Sequence, residues 1–307
     1  MPAESSRKFL DRSPAEIAIF GLLLILYLPL LIHWFDGWLN KSISIEHEYF
    51  SHGILGLPIA ADLCWQQRDR WQQLPDETNP TRQLLGLSLL ILGISFYLSN
   101  LTDLINLSLP TLLTGLCLWF KGLPGLRLQA FPLVLVLLAT PNEMPYLLAP
   151  YTLPLQRFIA GMAGFILVQS GMDVRVDQIY LFVNDRIVEV APYCAGLKML
   201  FTSFYVGLLL LYWTGQTSRL AIAVFYSGIV GISVAANVIR NTFLTYFHGT
   251  GQDAAFHWLH DGWGGDLYST AMLGFIVLLL KGIEIWMEAA ENPEEIETEP
   301  EPSAESL

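Results

Sequence analysis

The chain has 307 residues, 53% of them hydrophobic and only 14% charged, with a formal net charge of −12. Apolar runs recur along nearly its whole length, which excludes an ordinary soluble globular protein, and no basic patch suits nucleic-acid binding. The class that remains is an all-α polytopic membrane protein in contact with lipid on most of its surface. The negative charge is local. Residues 291–307 hold seven Glu and no Lys or Arg, so −7 of the −12 lies there. With Pro293, Pro300 and Pro302, this stretch is expected to be a disordered, solvated acidic tail on the cytoplasmic side.

Residues 1–14 read as a polar cytoplasmic segment. The run that follows is too long for a signal-peptide core and lacks a clear cleavage site, so it is expected to be a retained helix. From there one transmembrane domain is expected over 15–290. A spanning helix needs about 20 mainly apolar residues. Candidate spans are 15–35, 52–66, 83–101, 107–122, 126–141, 196–214, 218–238 and 267–287, which gives about eight transmembrane helices. A ninth apolar stretch, 146–169, contains Pro150, Pro154 and Arg157. These are costly in mid-bilayer, so this stretch is expected to be an interfacial helix.

Basic residues set the orientation. Arg7, Lys8 and Arg12 precede the first span, and Arg68, Arg70 and Arg82 follow the second. Lys121 and Arg127 bracket a turn after the fourth, and Arg219 one after the sixth. All fall on one side if 146–169 does not cross, and the positive-inside rule makes that side cytoplasmic. Both termini are then cytoplasmic. Residues 39–51, 142–195 and 239–266 face outward, in what the charge bias makes a plasma (inner) membrane protein.

The segment 171–191 breaks the helical pattern. Val174, Val176, Ile179, Leu181 and Val183 favour strands, and Asn184-Asp185 reads as a turn before Arg186–Val190. A small extracytoplasmic β-hairpin is expected there. It would deliver Cys194 from a strand into a helix beginning near Leu197.

Of the three cysteines, Cys64 and Cys117 lie in apolar runs, where a thiol is usually a small packed hydrophobe. Cys194 differs. It sits in Pro192-Tyr193-Cys194-Ala195-Gly196, at a helix start where unpaired N–H groups, the helix dipole and nearby Lys198 favour thiolate. The same N–H groups suit an oxyanion. A second motif, Asn237-Val238-Ile239-Arg240, puts Asn237 and Arg240 on one helix face. Arg240 is then a fixed cation for a developing oxyanion, oriented by a hydrogen bond from Asn237. A third, His257-Trp258-Leu259-His260-Asp261, offers an imidazole suited to acid/base work near neutral pH, beside the compact turn of Gly262, Gly264 and Gly265. His257 and His260 lack a third ligand at suitable spacing, so no metal site is assigned. No cofactor is expected. Each residue has a plain alternative: a buried thiol, a snorkelling arginine, a belt histidine. Thiol, cation and base together near the rims of successive helices are the parts acyl transfer needs.

The order Cys-Ala-Gly, then Asn-x-x-Arg, then His-Asp before a glycine-rich start of the last helix, resembles the exosortase/archaeosortase family. Tyr49-Phe50-Ser51-His52-Gly53 is similar to that family's early element before the second span, and Pro141–Pro154 to its middle region. The similarity covers roughly residues 15–290. Pro-Tyr-Cys-Ala-Gly, in place of the commoner Ala-Cys-Ser-Gly, looks like the cyanobacterial branch. The resemblance implies a membrane cysteine protease or transpeptidase. Its partners would be membrane-anchored proteins carrying a C-terminal Pro-Glu-Pro sorting signal, a membrane helix and a basic cluster, and a surface acceptor that the sequence does not identify. By motif, Cys194 is the nucleophile, Arg240 the transition-state cation and His260 the general acid/base. His52, Asn237, Tyr193 and Gly196 support or position substrate. Two other readings stay open at this point: a non-catalytic transporter or assembly factor, and a thiol-dependent lipid acyltransferase.

Overall fold

The computed structural model describes residues 14–39, 49–191, 196–260 and 262–291. Residues 1–13, 40–48, the stretch 192–195 with Tyr193 and Cys194, Asp261, and the tail from 292 lie outside the described residues. The chain forms two compact units, Met1–Glu143 and Met144–Leu307.

The first unit contains α1 (Pro14–Leu39), α2 (Gly53–Gln66), α3 (Arg68–Gln73), α4 (Pro80–Tyr97), α5 (Thr102–Leu128) and α6 (Ala130–Ala139). The start of α4 follows from its sequence: Thr81 N donates to Asn79 Oδ1 at 2.9 Å, and Pro80 fills the first turn, where no N–H is needed. Helices α4 and α5 pack backbone to backbone. A β-carbon on Gly86 would lie 2.7 Å from the Trp119 amide nitrogen. Helix α5 changes direction at Gly122, whose φ of 60° a side chain would resist. Buried polar groups tie α1 to α5. Trp34 Nε1 donates to Asn106 Oδ1 at 2.8 Å, Asn106 Nδ2 donates to Pro141 O at 3.0 Å, and Tyr27 shares a hydrogen bond with Ser108. In an apolar surround such groups must find partners within the protein. Lys121 is turned inward rather than outward, with its ammonium on Leu74 O and Asp76 Oδ1. Cys117 is packed as expected, whereas Cys64 is exposed. Both line an apolar cavity of about 390 Å³ between α2, α5 and α6.

The second unit contains α7 (Met144–Leu148), a 3₁₀ turn (Ala149–Thr152), α8 (Leu153–Gln169), β1 (Val174–Asp177), β2 (Tyr180–Val183), β3 (Arg186–Glu189), α9 (Leu197–Thr214), α10 (Arg219–Gly249), α11 (Asp253–His260) and α12 (Trp263–Glu291). The expected hairpin is a three-stranded antiparallel sheet of order β1-β2-β3. The extra strand arises because Asp177 pairs with Tyr180, so Gln178, at φ 59°, and Ile179 form a second tight turn. The turn read from Asn184-Asp185 is present, with both residues at positive φ, as two-residue hairpin loops require. Leu181 and Val190 bury against Ile159, Ala160 and Ala163 of α8 and Val238 of α10. A second apolar core joins α9, α10 and α12 through Phe225, Ile229, Ile276 and Leu280.

Six helical stretches among the described residues are long and apolar enough to cross a membrane: Gly21–Leu39, Thr102–Leu128, Met144–Gln169, Leu197–Thr214, Arg219–Gly249 and Trp263–Ala289. This differs from the eight expected from sequence. Three expected spans are not among the six: α2, of 14 residues, and α6, of 10, rise only about 21 and 15 Å, short of a hydrocarbon core of about 30 Å, and α4, of 18 residues, starts with the polar run Thr81-Arg82-Gln83. The stretch 146–169, expected at the interface, lies by contrast within a helical stretch long and apolar enough to cross. Its prolines do not interrupt a helix: Pro150 opens the 3₁₀ turn and Pro154 lies in the first turn of α8, positions where proline is tolerated.

Candidate active site

The described members of the three C-terminal motifs all belong to the second unit, and α10 brings them together. Helix α9 starts at Leu197, where the sequence placed it, and its N-cap is Gly196 in the left-handed conformation, φ 82° and ψ 10°. Among the described residues no side chain caps this helix, which leaves the positive end of its dipole uncompensated by a described capping side chain. The strand side of the motif is fixed as firmly. Gln156 Nε2, buried in α8, donates to Val190 O at 2.9 Å, and Val190 N donates to Ile179 O at 2.9 Å. Sheet and helix thus hold both ends of the short stretch that carries Cys194.

Asn237 is fully buried on α10 and lies against Gly196. A β-carbon there would sit 2.7 Å from Asn237 Nδ2 and 3.1 Å from its Cβ. The hydrogen bond expected from Asn237 to Arg240 is replaced by another. Asn241 Nδ2 donates to both the backbone oxygen of Asn237, at 2.9 Å, and its Oδ1, at 3.1 Å. Asn237 Nδ2 is buried with no hydrogen-bond partner among the described residues.

Arg240 reaches α11 instead. Its Nη2 donates to His260 O at 3.2 Å and Leu259 O at 3.4 Å, the carbonyls that end that helix. A cation there complements the negative end of the helix dipole. Arg240 Nε is also buried without a partner among the described residues. One turn before Arg240, Ala236 O accepts a short hydrogen bond from the Tyr268 hydroxyl, which pins α12 to α10 beside the site. The His260 ring is half-buried and stacks on Phe256, with centroids 5.1 Å apart and planes 10° apart. Phe256 also packs against His248, with ring centroids 5.2 Å apart. His257 is exposed.

Arg240 was expected just past the end of a span. Helix α10 in fact continues to Gly249, because Phe243, Leu244, Tyr246 and Phe247 keep supplying apolar surface. The 31-residue helix is about 46 Å long, more than one hydrocarbon thickness. Arg219 and Arg240 are about 32 Å apart along it, with no charged residue between them. That interval matches one hydrocarbon core and leaves Arg240 near a membrane boundary.

His52 belongs to the first unit. It occupies the N-cap position of α2, and its Nε2 donates to Leu138 O at 3.0 Å, which ties the start of α2 to α6. Gly53 beside it is pressed against Trp38. Asn241 was missed from sequence. The signal available was a second polar residue one turn after Asn237 on an apolar helix, part of the buried row Ser233, Asn237, Asn241 and Thr245.

A multi-pass helical membrane protein with a guanidinium, an imidazole and an uncapped helix start gathered around one long helix is the class these features define. Residues 38–277 match the family model of the transmembrane exosortases (Exosortase_EpsH), and the chain belongs to that family. Membership supports a membrane transpeptidase-type role acting on proteins with sorting signals. No curated protein and no solved structure matches the chain.

Proposed function

We propose that the chain is a cysteine-dependent exosortase. In this reading it cleaves a C-terminal Pro-Glu-Pro-type signal on membrane-anchored proteins, at the extracytoplasmic face of the plasma membrane, and passes them to an acceptor through a thioester. Cys194 is the nucleophile, Arg240 the transition-state cation and His260 the acid/base. The observation that carries the reading is the meeting, at one level of α10, of Gly196 from the Cys-Ala-Gly motif with Asn237, and of Arg240 with the His260 backbone. These motifs are 41 or more residues from Gly196 in the chain.

His260 takes the thiol proton as the sulfur lone pair forms a C–S bond with the scissile carbonyl carbon. The carbonyl π pair moves to oxygen, where Arg240 compensates the charge. Collapse restores the carbonyl, breaks the C–N bond and expels the amine, which takes the proton from His260 and leaves a thioester. An acceptor amine or water, giving its proton to His260, then displaces the sulfur. A substrate held by its own membrane helix arrives at fixed depth, which supplies much of the orientation the reaction needs. The Pro-Tyr-Cys-Ala-Gly sequence fits the cyanobacterial branch. His52, bound within the first unit, serves to position substrate, and Tyr193 flanks the nucleophile.

The test is co-expression with a reporter ending in a Pro-Glu-Pro signal, an apolar helix and a basic cluster. Wild type shortens the reporter; Cys194→Ala and Arg240→Ala leave it full length, and Cys194→Ser processes it far more slowly. Normal shortening by Cys194→Ala removes the nucleophile assignment.

A further inference from the structure

The polarity of Asn237 is unexplained by packing. Its Oδ1 is taken by Asn241, yet its Nδ2 is fully buried and has no partner among the described residues. Buried polar groups in native proteins are nearly always satisfied, and a donor left bare calls for a reason. Three facts locate that reason. The bare Nδ2 lies against Gly196, two residues after Cys194, and two residues of chain extend at most about 7 Å. The glycine has no side chain to shield it. One turn further on the same helix, Arg240 Nε is also buried and bare.

Resting on the acyl-transfer reading above, we propose that Asn237 is a further catalytic residue whose Nδ2–H donates to the carbonyl oxygen as it becomes anionic, and that Asn241 is the positioning residue that aims it. An amide side chain can present either end. By donating to Oδ1, Asn241 commits Asn237 to present its N–H₂ toward the Cys-Ala-Gly segment. When the sulfur attacks and the π pair moves to oxygen, a donor already in place stabilises the new charge without reorganisation. Asn237 and Arg240 thus act as a neutral donor and a charged donor on the same oxygen.

The experiment measures turnover of the reporter by the purified full-length chain in lipid vesicles, with Cys194→Ala alongside. Asn237→Asp keeps the shape and removes the donor, and turnover falls by roughly 10²–10³-fold with KM within about threefold, the loss typical of one oxyanion donor. Asn241→Asp can only accept, so the Asn237 amide turns round to donate to it and presents oxygen to the site. The same fall in kcat is expected, and the double variant is no worse than either single one. Thermal unfolding and monodispersity of each variant separate this from misfolding. Turnover of Asn237→Asp within threefold of wild type, or a loss that only tracks the folded fraction, overturns the proposal while Cys194→Ala stays inactive. Activity in Cys194→Ala overturns the underlying reading instead.

Discussion

Gly196 and Asn237 lie in direct contact, with no room for even a methyl group on the glycine. Two constraints therefore meet at Gly196: a positive φ and a neighbour 2.7 Å from where a β-carbon would sit. The left-handed conformation costs an ordinary residue about 1–2 kcal/mol. Gly196→Ala is expected to lower the thermal unfolding midpoint of the detergent-purified protein and to abolish reporter shortening, because relieving the clash pushes Asn237 away. An unchanged midpoint together with unchanged processing would show that the contact is loose.

Arg240 is held through its shape as well as its charge. Nη2 bridges the Leu259 and His260 carbonyls, while Nε has no partner among the described residues. Lysine keeps the charge but has no planar fork to serve both sides. Arg240→Lys is expected to lose about 1 kcal/mol of stability from the weakened hydrogen bonds. Reporter processing should fall at least about 100-fold. Parity of processing between the two would reduce Arg240 to a point charge.

The candidate residues stand out in the sequence because they contradict their surroundings. Arg240 follows an uncharged run, His260 precedes glycines, and Cys194 stands between a strand pattern and an apolar helix. The start of α9 at Leu197 and the Asn184-Asp185 turn were readable for the same reason: local chemistry dictates them. What was not legible depends on tertiary contact. The aim of the Asn237 amide is set by Asn241, and nothing in the Asn-x-x-Arg spacing says which end it presents. The extra strand β1 depends on Gln178 accepting a positive φ, which its identity does not advertise. Span count is less legible: apolar composition alone does not separate the short helices α2 and α6 from stretches long enough to cross, and the two prolines of 146–169 begin helical turns rather than break a helix.

The second β-turn offers a stabilising change. Asn184 and Asp185 have φ of 48° and 64°, and Val183 pairs with Arg186 across them. Asn-Gly is the preferred pair for such a loop. Asp185→Gly is expected to raise stability on the order of 0.5–1 kcal/mol, the relief at the turn exceeding the added freedom of the unfolded chain. Hydrogen exchange of the β2 and β3 amides should slow with it. Faster exchange would mean that the Asp185 carboxylate holds the turn by a contact that glycine loses.

The sheet is also held to α10 and α11 by charge. Arg186 donates to Asp253 Oδ1 at 2.6 Å and to His248 O at 3.1 Å, and Asn184 Nδ2 donates to Gly249 O at 3.1 Å. The hydrogen bond from Arg186, more than the nearby charges of Arg186, His248 and His257, holds the Asp253 carboxyl below its ordinary value of 3.8. A carboxyl with a depressed folded pKa stabilises the fold above its unfolded pKa, and that contribution fades as pH falls through the folded value. The pair is exposed, so the effect is small and weakens with salt. Asp253→Asn should therefore unfold at a lower temperature than wild type at pH 7. The gap should persist down to about pH 4 and close only below that, as wild-type Asp253 takes up its proton. If the two proteins unfold together across the whole range, the Arg186–Asp253 pair does not tie the sheet to these helices, and the buried contacts of Leu181 and Val183 do so alone.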